Sequence, residues 1–361
     1  MAHLAVTRPG VVEVCGEPAE EALPDGRFDV RTRYSGLSAG TELSFVKGTN
    51  PALTSNWDTE LGLFRPDRSE PAYPVTRLGY MEVGEVEASR TPAVRAGDLV
   101  AMTYGHRDRY RADPVLDRFV VLPDDLDPLL GIYVAHMGPI CANGLLHAAA
   151  DWRGADVRSL GDGVRGRRVA ITGAGVVGLL TALFVRHHGA ESVVVVEPSA
   201  RRRESATAFR LDTLDPTTTD PAVVLKTRWR HGPGDRGADV VFQCRGRSDS
   251  LALALRLLRP QGTVVDLAFY QGGSDAVRLG EEFHHNGLAI RCAQIGRVPR
   301  GCAHAWDRER LSAETITLLR AEGPEIKRHL ISDLVPQSDA PALLDDLARR
   351  GRHVRQVVFT Y

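Results

Sequence analysis

One glycine-rich segment constrains the fold of this chain more than any other feature: Gly173-Ala174-Gly175-Val176-Val177-Gly178. Residues 168–172 before it have the short apolar pattern of a buried strand, and residues 179–188 after it carry apolar side chains at helical spacing. A second apolar run, 192–196, follows and ends at Glu197. The order strand, glycine turn, helix, strand predicts a parallel α/β unit around this segment.

The spacing within this segment indicates a dinucleotide-binding site. Gly173 permits the tight turn, Gly175 lets the backbone approach a pyrophosphate, and Gly178 lets the helix pack close to the strand. Free N–H groups at the helix N-terminus, around Val176 and Val177, face the phosphates. Glu197 lies 19 residues after Gly178, where such a site needs a carboxylate for the adenosine ribose. A glycine motif alone is weak evidence, because ordinary α/β domains also contain glycine-rich turns, but the complete order is specific.

Composition and charge exclude several classes of protein. The chain has 361 residues, enough for two domains, and a net charge of −1 from 45 basic and 46 acidic residues. We therefore expect neither nucleic acid nor an anionic membrane as a partner. No apolar run reaches the ~18 residues of a spanning helix, and the N-terminus lacks a signal-peptide pattern. The five cysteines are scattered without a CxxC pair, which indicates a reducing, cytoplasmic location.

The pattern of predicted elements divides the chain into two domains. Residues 1–134 contain short valine-bearing strands broken by glycine and proline, which is typical of a mainly β domain. Residues 135–297 alternate strands with helices, which predicts a parallel sheet. The closing strand, 356–360, is expected to return to the N-terminal domain. We therefore predict one discontinuous domain, 1–134 with 298–361, and one inserted domain, 135–297.

Several motifs resemble the medium-chain dehydrogenase/reductase superfamily over nearly the whole chain. Besides the glycine segment and Glu197, the resemblance rests on Gly97-Asp98-Leu99-Val100 and on residues 237–242 and 257–264. It implies an α/β fold with a GroES-like β-rich catalytic domain and a Rossmann cofactor domain containing a doubly wound parallel sheet. Residues 35–42 and 78–84 are similar to the branch of bacteriochlorophyllide dehydrogenase-like enzymes and actinobacterial biosynthetic alcohol dehydrogenases. The pigment substrate of that branch is not carried over to this chain.

The chain departs from zinc-dependent members of this superfamily at the metal-ligand positions. Those members have a cysteine where this chain has Ser38, and a Gly-His-Glu where it has Gly79-Tyr80-Met81. A third ligand would fall near Ile140 or Cys141. Catalytic zinc needs three ligands from Cys, His, Asp or Glu, and a hydroxyl and a phenol are poor substitutes at neutral pH. The sequence therefore predicts an enzyme without zinc.

Without zinc, other side chains have to hold the substrate oxygen, and four are candidates. Tyr80 occupies the vacated ligand position and could donate a hydrogen bond or a proton to a carbonyl oxygen, provided that local charge lowers its pKa. The resemblance places Ser38 and Thr41 on the loop that faces the nicotinamide ring. His136 lies where the chain enters the cofactor domain and could shuttle protons. Each has a structural alternative: packing against the wall for Tyr80, capping for the hydroxyls and a buried structural role for the histidine.

Other polar and aromatic residues are left open by the sequence. His106 lies after a predicted strand and is a weaker candidate for proton transfer, and Glu42 is either a buried or a solvated carboxylate. Trp57 and Phe64 belong to the loop 47–69, which the resemblance places beside the substrate cleft. They hint at an apolar or ring-bearing ligand, although surface packing explains them equally well.

The resemblance also assigns cofactor contacts outside the glycine segment. Arg202 matches a basic residue that reaches the adenosine ribose. Cys244 and Gly246 follow the fourth strand of the domain and match nicotinamide-ribose contacts, with Cys244 packing rather than acting as a nucleophile. Ala268 and Phe269 follow the next strand, where backbone groups meet the carboxamide. Glu197 favours NAD, because a carboxylate repels the additional phosphate of NADP, whereas residues 201–203, all arginine, keep NADP open if that carboxylate turns away.

Together these features predict a zinc-independent, NAD(P)-dependent oxidoreductase acting on a small-molecule substrate. The leading interpretation is alcohol–ketone interconversion on a small-to-medium organic compound such as a secondary metabolite. Two alternatives stay open: reduction of an activated C=C bond, and a non-catalytic dinucleotide-binding sensor or scaffold. Residues 288–293 resemble the edge strand through which relatives dimerise, so the resemblance also implies a homodimer.

Overall fold

The computed structural model describes residues 1–16, 18, 22–65 and 72–361, and the chain divides into two compact units. The first unit comprises Met1–His136 and Ile331–Tyr361, and the second comprises Met137–Leu330. No helix within the described ranges is long and apolar enough to cross a membrane.

The strands, numbered in chain order, are Ala2–Arg8 (β1), Val11–Gly16 (β2), Phe28–Gly36 (β3), Asn56–Asp58 (β4), Leu63–Arg65 (β5), Glu82–Ser89 (β6), Leu99–Met102 (β7), Arg109–Ala112 (β8), Val120–Val121 (β9), Arg168–Thr172 (β10), Ser192–Val196 (β11), Asp212–Leu214 (β12), Arg230–Gly232 (β13), Asp235–Arg236 (β14), Ala238–Gln243 (β15), Leu258–Asp266 (β16), Ala289–Cys292 (β17), Ile331–Pro336 (β18) and Gln356–Thr360 (β19). The α-helices are Ala39–Val46 (α1), Met137–Arg153 (α2), Val176–His187 (α3), Ala200–Ala208 (α4), Pro221–Arg228 (α5), Ser248–Leu257 (α6), Arg308–His329 (α7) and Ala340–Ala348 (α8). Short 3-10 turns lie at Pro51–Leu53, Pro128–Tyr133, Leu160–Gly163, Arg300–Cys302 and Gln337–Asp339, and a π-type turn lies at Leu279–Phe283.

The second unit is built on a six-stranded parallel sheet. Its strand order is β12-β11-β10-β15-β16-β17, and every neighbouring pair runs parallel. Counted along the chain this is the order 3-2-1-4-5-6 of a doubly wound dinucleotide-binding sheet. The strands β10 and β15 are buried along almost their whole length, and their apolar residues pack with those of α5 and α6 in one core. The predicted Rossmann fold is therefore confirmed.

The first unit is mainly β, as the sequence predicts. Six strands of its seven-stranded sheet have the order β18-β19-β3-β6-β7-β9, and the seventh, β8, pairs with β3. The long strand β3 pairs along one edge with β6, and along the other with β8 near its start and with β19 near its end. Because β19 comes from the C-terminal segment, that segment completes the sheet begun by the N-terminal residues. The core between β1, α1, α8 and β19 includes Leu4, Val46, Leu344 and Phe359.

The second boundary between the units differs from the sequence division. The structure divides the chain at 330/331 rather than at 297/298, so that residues 298–330 lie in the second unit. The reason is α7, which extends to His329 with Pro324 in its interior and packs against α2 and α3. The sequence pattern predicts this helix near residues 308–322, and in the structure it continues past Pro324, although proline usually ends a helix. The first boundary, at 136/137, lies close to the predicted one.

The packing of α7 on α2 gives a testable prediction. A Cβ added to Gly138 would lie 2.9 Å from Thr315 Cβ, and Thr315 is held in place because its hydroxyl donates to Leu311 O at 2.8 Å. We expect Gly138→Ala to lower the free energy of unfolding by about 1–3 kcal/mol through overpacking. Adding Thr315→Ala should recover part of this loss, whereas Thr317→Ala, at an exposed position of the same helix, should not. Urea denaturation of the single and double variants measures the coupling, and strictly additive losses would contradict this packing.

Candidate functional site

The glycine segment of the second unit forms the turn that its spacing predicts. Gly173 has φ +98°, a conformation that favours glycine, and a Cβ on Gly178 would overlap the carbonyl oxygen of Gly173. Gly175 is the N-cap of α3, and a Cβ added there would meet no other atom within 4 Å. The first and third glycines are therefore required by the fold itself, whereas Gly175 leaves open space at the helix N-terminus. This cradle fits the phosphates of a dinucleotide.

Glu197 lies at the carboxyl end of β11, and its carboxylate faces the glycine turn. It is 2% exposed and accepts hydrogen bonds from Ala174 N–H and Ser199 N–H, each at 2.9 Å. Arg202 Nη1 lies 4.0 Å from Glu197 Oε2. Arg203 donates to Glu197 O at 2.8 Å. The carboxylate and Arg202 are thus adjacent, as a ribose-binding pair requires, and both carboxylate oxygens already hold the local backbone in place.

The loops after β15 and β16 contact each other. A Cβ on Gly246 would overlap the carbonyl oxygen of Phe269, so this glycine is required by the close approach of the two loops. Ala268 N–H donates to Asp266 Oδ1 at 2.9 Å. Burial raises the pKa of Cys244 well above its usual range, which agrees with a packing role for this thiol. The four residues that the resemblance assigns here therefore lie on two neighbouring loops.

Sequence reasoning missed a polar network that holds these loops. Gln243 Nε2 donates to Arg245 O at 2.7 Å and to the Tyr270 hydroxyl at 3.0 Å. That hydroxyl in turn donates to Asp266 Oδ2 at 2.8 Å, and Thr172 donates to Gln243 Oε1. The network links the carboxyl ends of β10, β15 and β16. Its only signal in the sequence is a polar residue at the end of each of these buried strands.

In the first unit, the four candidate catalytic side chains lie together. The hydroxyls of Ser38 and Tyr80 share a hydrogen bond, and Thr41 Oγ1 lies 3.4 Å from the same tyrosine hydroxyl. The ring of His136 packs beside that of Tyr80, with centroids 4.6 Å apart. Ser38 is the N-cap of α1 but makes no side-chain capping bond, so its hydroxyl faces Tyr80 instead. We call Ser38, Thr41, Tyr80 and His136 the hydroxyl cluster; their catalytic role stays a prediction.

From the sequence, proton donation by Tyr80 requires that local charge lowers its pKa, and the structure does not meet this condition. Burial raises the pKa of the Tyr80 phenol, and the negative charges of Glu42 and Glu82 raise it further, against the lowering effect of Ser38 and Thr41. Local charge therefore does not lower the pKa as required for a readily ionised phenol. Tyr80 stays neutral at physiological pH and can donate a hydrogen bond, but it is not a base.

Two buried acids and a histidine lie behind the hydroxyl cluster. Glu42 Oε1 accepts the N–H of Ser38 at 2.6 Å, and Glu42 Oε2 lies 2.7 Å from His106 Nε2. Glu82 Oε1 accepts Met81 N–H at 3.1 Å, and Glu82 Oε2 has no hydrogen-bond partner among the residues that the structure describes. Burial raises the pKa of Glu82 to about 7, although the charge of His106 lowers it. The open question about Glu42 is thus answered, since its side chain is 2% exposed.

The donor set of the first unit does not fit a catalytic zinc. Ser38 and Tyr80 present neutral hydroxyls, and Tyr80 has a raised pKa. Cys141 belongs to the second unit, where its thiol donates to Val177 O at 3.5 Å and burial raises its pKa to about 12. Zinc binds thiolates rather than thiols. Across residues 1–16, 18, 22–65 and 72–361, no group of three or more His, Cys, Asp or Glu side chains is arranged to hold a metal ion.

The aromatic residues of the loop 47–69 lie on a small hairpin. Trp57 on β4 and Phe64 on β5 are cross-strand partners, and their rings meet edge to face with centroids 4.9 Å apart. Both side chains are about half exposed. The pair explains part of the aromatic signal by mutual packing, and residues 66–69 of this loop lie outside the described residues.

Comparison with known proteins adds a family match and a full-length relative. A family model described as zinc-binding dehydrogenase matches residues 176–307. This range lies within the second unit and contains neither Ser38 nor Tyr80. D-guloside 3-dehydrogenase of Shigella flexneri is 26% identical over 350 residues, which cover 94% of this chain and 94% of that protein.

Solved structures show the same fold over the full length. Galactitol-1-phosphate dehydrogenase from Escherichia coli matches with a TM-score of 0.76 at 16% identity, covering 100% of both chains. A dehydrogenase from Sinorhizobium meliloti 1021 bound to NADP matches with a TM-score of 0.73 at 20% identity, covering 100% of this chain and 99% of that one. At these identities the likeness establishes the fold alone.

The glycine turn gives a prediction that separates binding from folding. Gly175→Ala should leave the unfolding midpoint unchanged, because its Cβ has free space, but should weaken NAD(P) binding about tenfold or more by standing where the pyrophosphate approaches. Gly178→Ala should lower both the unfolding midpoint and the affinity for NAD(P), because its Cβ would overlap the backbone of Gly173. Fluorescence titration and thermal unfolding measure the two effects. Gly232→Ala, on β13 with free space around it, is the control. Unchanged affinity in Gly175→Ala would remove the pyrophosphate from this turn.

Glu82 gives a prediction for the pH dependence of stability. Its folded pKa of about 7 exceeds the ordinary value of 4.5, so its cost to stability is absent below pH 4.5, grows as pH rises to about 7 and then stays constant. That cost is about 3 kcal/mol above pH 7. Glu82→Gln should therefore raise the free energy of unfolding relative to the parent, and this gain should be clearly larger at pH 8 than at pH 5. Urea unfolding at the two pH values measures it.

Glu85 on the same strand is the matched control for Glu82. Its hydrogen bond with Arg33 lowers the pKa of Glu85, so Glu85→Gln should gain nothing at high pH. An identical pH dependence of unfolding in the parent and in Glu82→Gln would contradict a raised Glu82 pKa.

Proposed function

We propose that this chain, an NAD(P)-dependent oxidoreductase, is a member of the medium-chain zinc-binding-type dehydrogenase superfamily and interconverts a secondary alcohol and a ketone without catalytic zinc. The observation that carries the proposal is the hydroxyl cluster, in which the hydroxyls of Ser38 and Thr41 both lie against the Tyr80 hydroxyl and the His136 ring packs beside the Tyr80 ring. The nicotinamide, when bound, accepts or returns the hydride. The chain's own residues then have to hold the substrate oxygen and exchange one proton.

The neutral phenol of Tyr80 suits the first of these tasks. Because its pKa is raised, Tyr80 keeps its proton and can donate a hydrogen bond to the substrate oxygen, while Ser38 and Thr41 fix the direction of that hydroxyl. The second task needs a group that exchanges a proton near neutral pH, and an imidazole is the side chain with that property. In our proposal, His136 therefore takes the hydroxyl proton when the alcohol is oxidised and returns it when the ketone is reduced.

The proposal that zinc is absent rests on donor chemistry. The hydroxyl of Ser38 and the neutral phenol of Tyr80 stand in for two ligands. The thiol of Cys141, with a pKa of about 12, is protonated near pH 7. The family model that carries zinc in its description matches only residues 176–307, so its description does not extend to these positions.

The substrate class follows from the relative that is similar along 94% of both chains. That protein is a D-guloside 3-dehydrogenase, so we propose a polyhydroxylated, sugar-like alcohol for this chain. This replaces the apolar or ring-bearing ligand suggested by Trp57 and Phe64. It also supports alcohol oxidation over reduction of a C=C bond, and a panel of enones is the test of that alternative.

Cofactor preference and assembly complete the proposal. The buried Glu197 carboxylate beside the glycine turn supports NAD, whereas Arg202 next to it keeps NADP in the test panel. Among the strands that the structure describes, β17 is an edge of the six-stranded sheet and its four residues are exposed, which supports the expected homodimer. Sedimentation measures that state.

The first test of the function is Tyr80→Phe. We expect its kcat for a sugar alcohol to fall about 100-fold, because the substrate oxygen loses its hydrogen-bond donor, while the affinity for NAD(P) changes less than about twofold. Tyr73→Phe is the matched control, since it removes a tyrosine hydroxyl that donates to Phe45 O and belongs to the same unit outside the cluster. Full activity in Tyr80→Phe would remove the phenol from the mechanism.

Metal analysis tests the second half of the proposal. The purified, active chain should contain far less than stoichiometric zinc and should keep its turnover after treatment with a chelator. Stoichiometric zinc whose removal abolishes turnover would sink the zinc-free mechanism, whatever the result for Tyr80.

A further inference from the structure

A buried histidine, His106, lies behind the hydroxyl cluster and takes no part in the proposed mechanism. His106 is fully buried, and its Nε2 lies 2.7 Å from Glu42 Oε2. Its Nδ1 lies 2.7 Å from Ser35 Oγ, which is also 2.7 Å from the Tyr361 hydroxyl. Phe359 packs edge-on against the imidazole with ring centroids 4.9 Å apart. Both ring nitrogens therefore have polar partners inside an apolar wall.

His106 lies between the two segments that carry the hydroxyl cluster. On one side it contacts Glu42, whose second oxygen accepts the N–H of Ser38 at 2.6 Å. On the other side it packs against Gly79, where an added Cβ would lie 2.8 Å from His106 Cε1 and 3.0 Å from Glu82 Oε1. Gly79 directly precedes Tyr80, and its φ of +99° fits only the absence of a side chain. One imidazole thus fixes the backbone next to Ser38 and the backbone next to Tyr80.

We propose that His106 is a positioning residue for the hydroxyl cluster and that it acts as an imidazolium shared by the buried carboxyl groups of Glu42 and Glu82. The catalytic part of this proposal rests on the proposed function, whereas the charge state of His106 does not. The imidazolium donates from Nε2 to Glu42 and from Nδ1 to Ser35, so that Ser35 donates onward to Tyr361.

The charges that surround His106 support this state. Burial lowers the pKa of His106, but Glu42 from α1 and Glu82 from β6 raise it, and the net direction is upward. Three phenols also interact with these acids, those of Tyr80, Tyr104 and Tyr361; their pKa values are raised, so they are neutral near pH 7 and carry no opposing charge. Uncompensated carboxylates in a buried site are costly, so a cation between them stabilises the site.

Two other shielded histidines of the chain have the opposite surroundings. Burial lowers the pKa of His147 to about 4, and the charge of Arg291 lowers it further. Burial also lowers the pKa of His188 to about 4, with His187 and Arg165 acting in the same direction. Both should be neutral at pH 7. They provide internal references, because burial sets the direction of their pKa shifts; Glu314 Oε2 lies 3.8 Å from His188 Nε2, compared with 2.7 Å between Glu42 Oε2 and His106 Nε2.

Nuclear magnetic resonance of the full chain labelled with ¹⁵N at histidine tests the charge state. His106→Gln, His147→Gln and His188→Gln assign the three signals. At pH 7 the nitrogens of His106 should both carry protons, whereas His147 and His188 should show neutral imidazole. A neutral His106 between pH 6 and 8 would overturn the proposal. If His106→Gln does not fold, Ser35→Ala identifies the same signal by shifting it through Nδ1.

Kinetics test the positioning role. His106→Gln should lower kcat about tenfold and leave the KM for the cofactor within about twofold, because the hydroxyls lose their alignment while the second unit is untouched. Adding Tyr80→Phe to His106→Gln should lower kcat by a clearly smaller factor than Tyr80→Phe does in the parent, because a misaligned phenol contributes less to turnover. Ser35→Ala should give a smaller loss in the same direction, and His188→Gln should give none. Additive losses in the double variant would reject the positioning role.

The tests separate failure of this inference from failure of the proposed function. If Tyr80→Phe itself retains full turnover, the proposed function fails, and the resonance experiment still decides the charge of His106. If Tyr80→Phe loses turnover and His106 is neutral, the function stands and this inference falls.

Discussion

The buried contact between Glu42 and His106 is the interaction on which the local structure of the hydroxyl cluster depends. Both side chains are withdrawn from water, and isolated charges in such a place would destabilise the fold by several kcal/mol. They persist because their own polar atoms are hydrogen-bonded: Ser38 N–H, Glu42, His106, Ser35 and Tyr361 form one connected set. The same bonds that satisfy the charges also fix the start of α1, where the Ser38 hydroxyl turns towards Tyr80.

The two units position their candidate functional residues by different interactions. In the second unit, close approach of the backbone fixes the loops. It is possible because Gly173, Gly178 and Gly246 have no side chain where a Cβ would crowd neighbouring segments. In the first unit, side-chain hydrogen bonds hold the segments together, and the hydroxyls of Ser38 and Thr41 lie against the hydroxyl of Tyr80. Such close backbone approaches tolerate no side chain at Gly178 or Gly246. A hydroxyl cluster can be altered one group at a time, which is why its members suit mutational analysis.

The sequence predicted what depends on local pattern and missed what depends on distant contacts. The bounds of β10, β11 and β19 and the turn between β10 and α3 followed from apolar runs and glycine spacing, which neighbouring residues determine. The extension of α7 through Pro324 did not, because packing on α2 and α3 overrides the local preference of proline. Glu82 and His106 are 24 residues apart in sequence and were not linked, since nothing local shows that β6 and the loop before β8 meet at Gly79.

The pairing of β19 with β3 bears on how the chain is made. The second unit is one uninterrupted stretch, Met137–Leu330, whereas the first unit needs β18 and β19 from residues beyond it. On a ribosome, where domains fold as units while the chain emerges, every residue of the second unit is available before the first unit's sheet can close. The N-terminal strands are therefore synthesised first, but the sheet to which they belong is completed last. Until β19 arrives, the edge of β3 near Ser35 has to be shielded from pairing with other nascent chains.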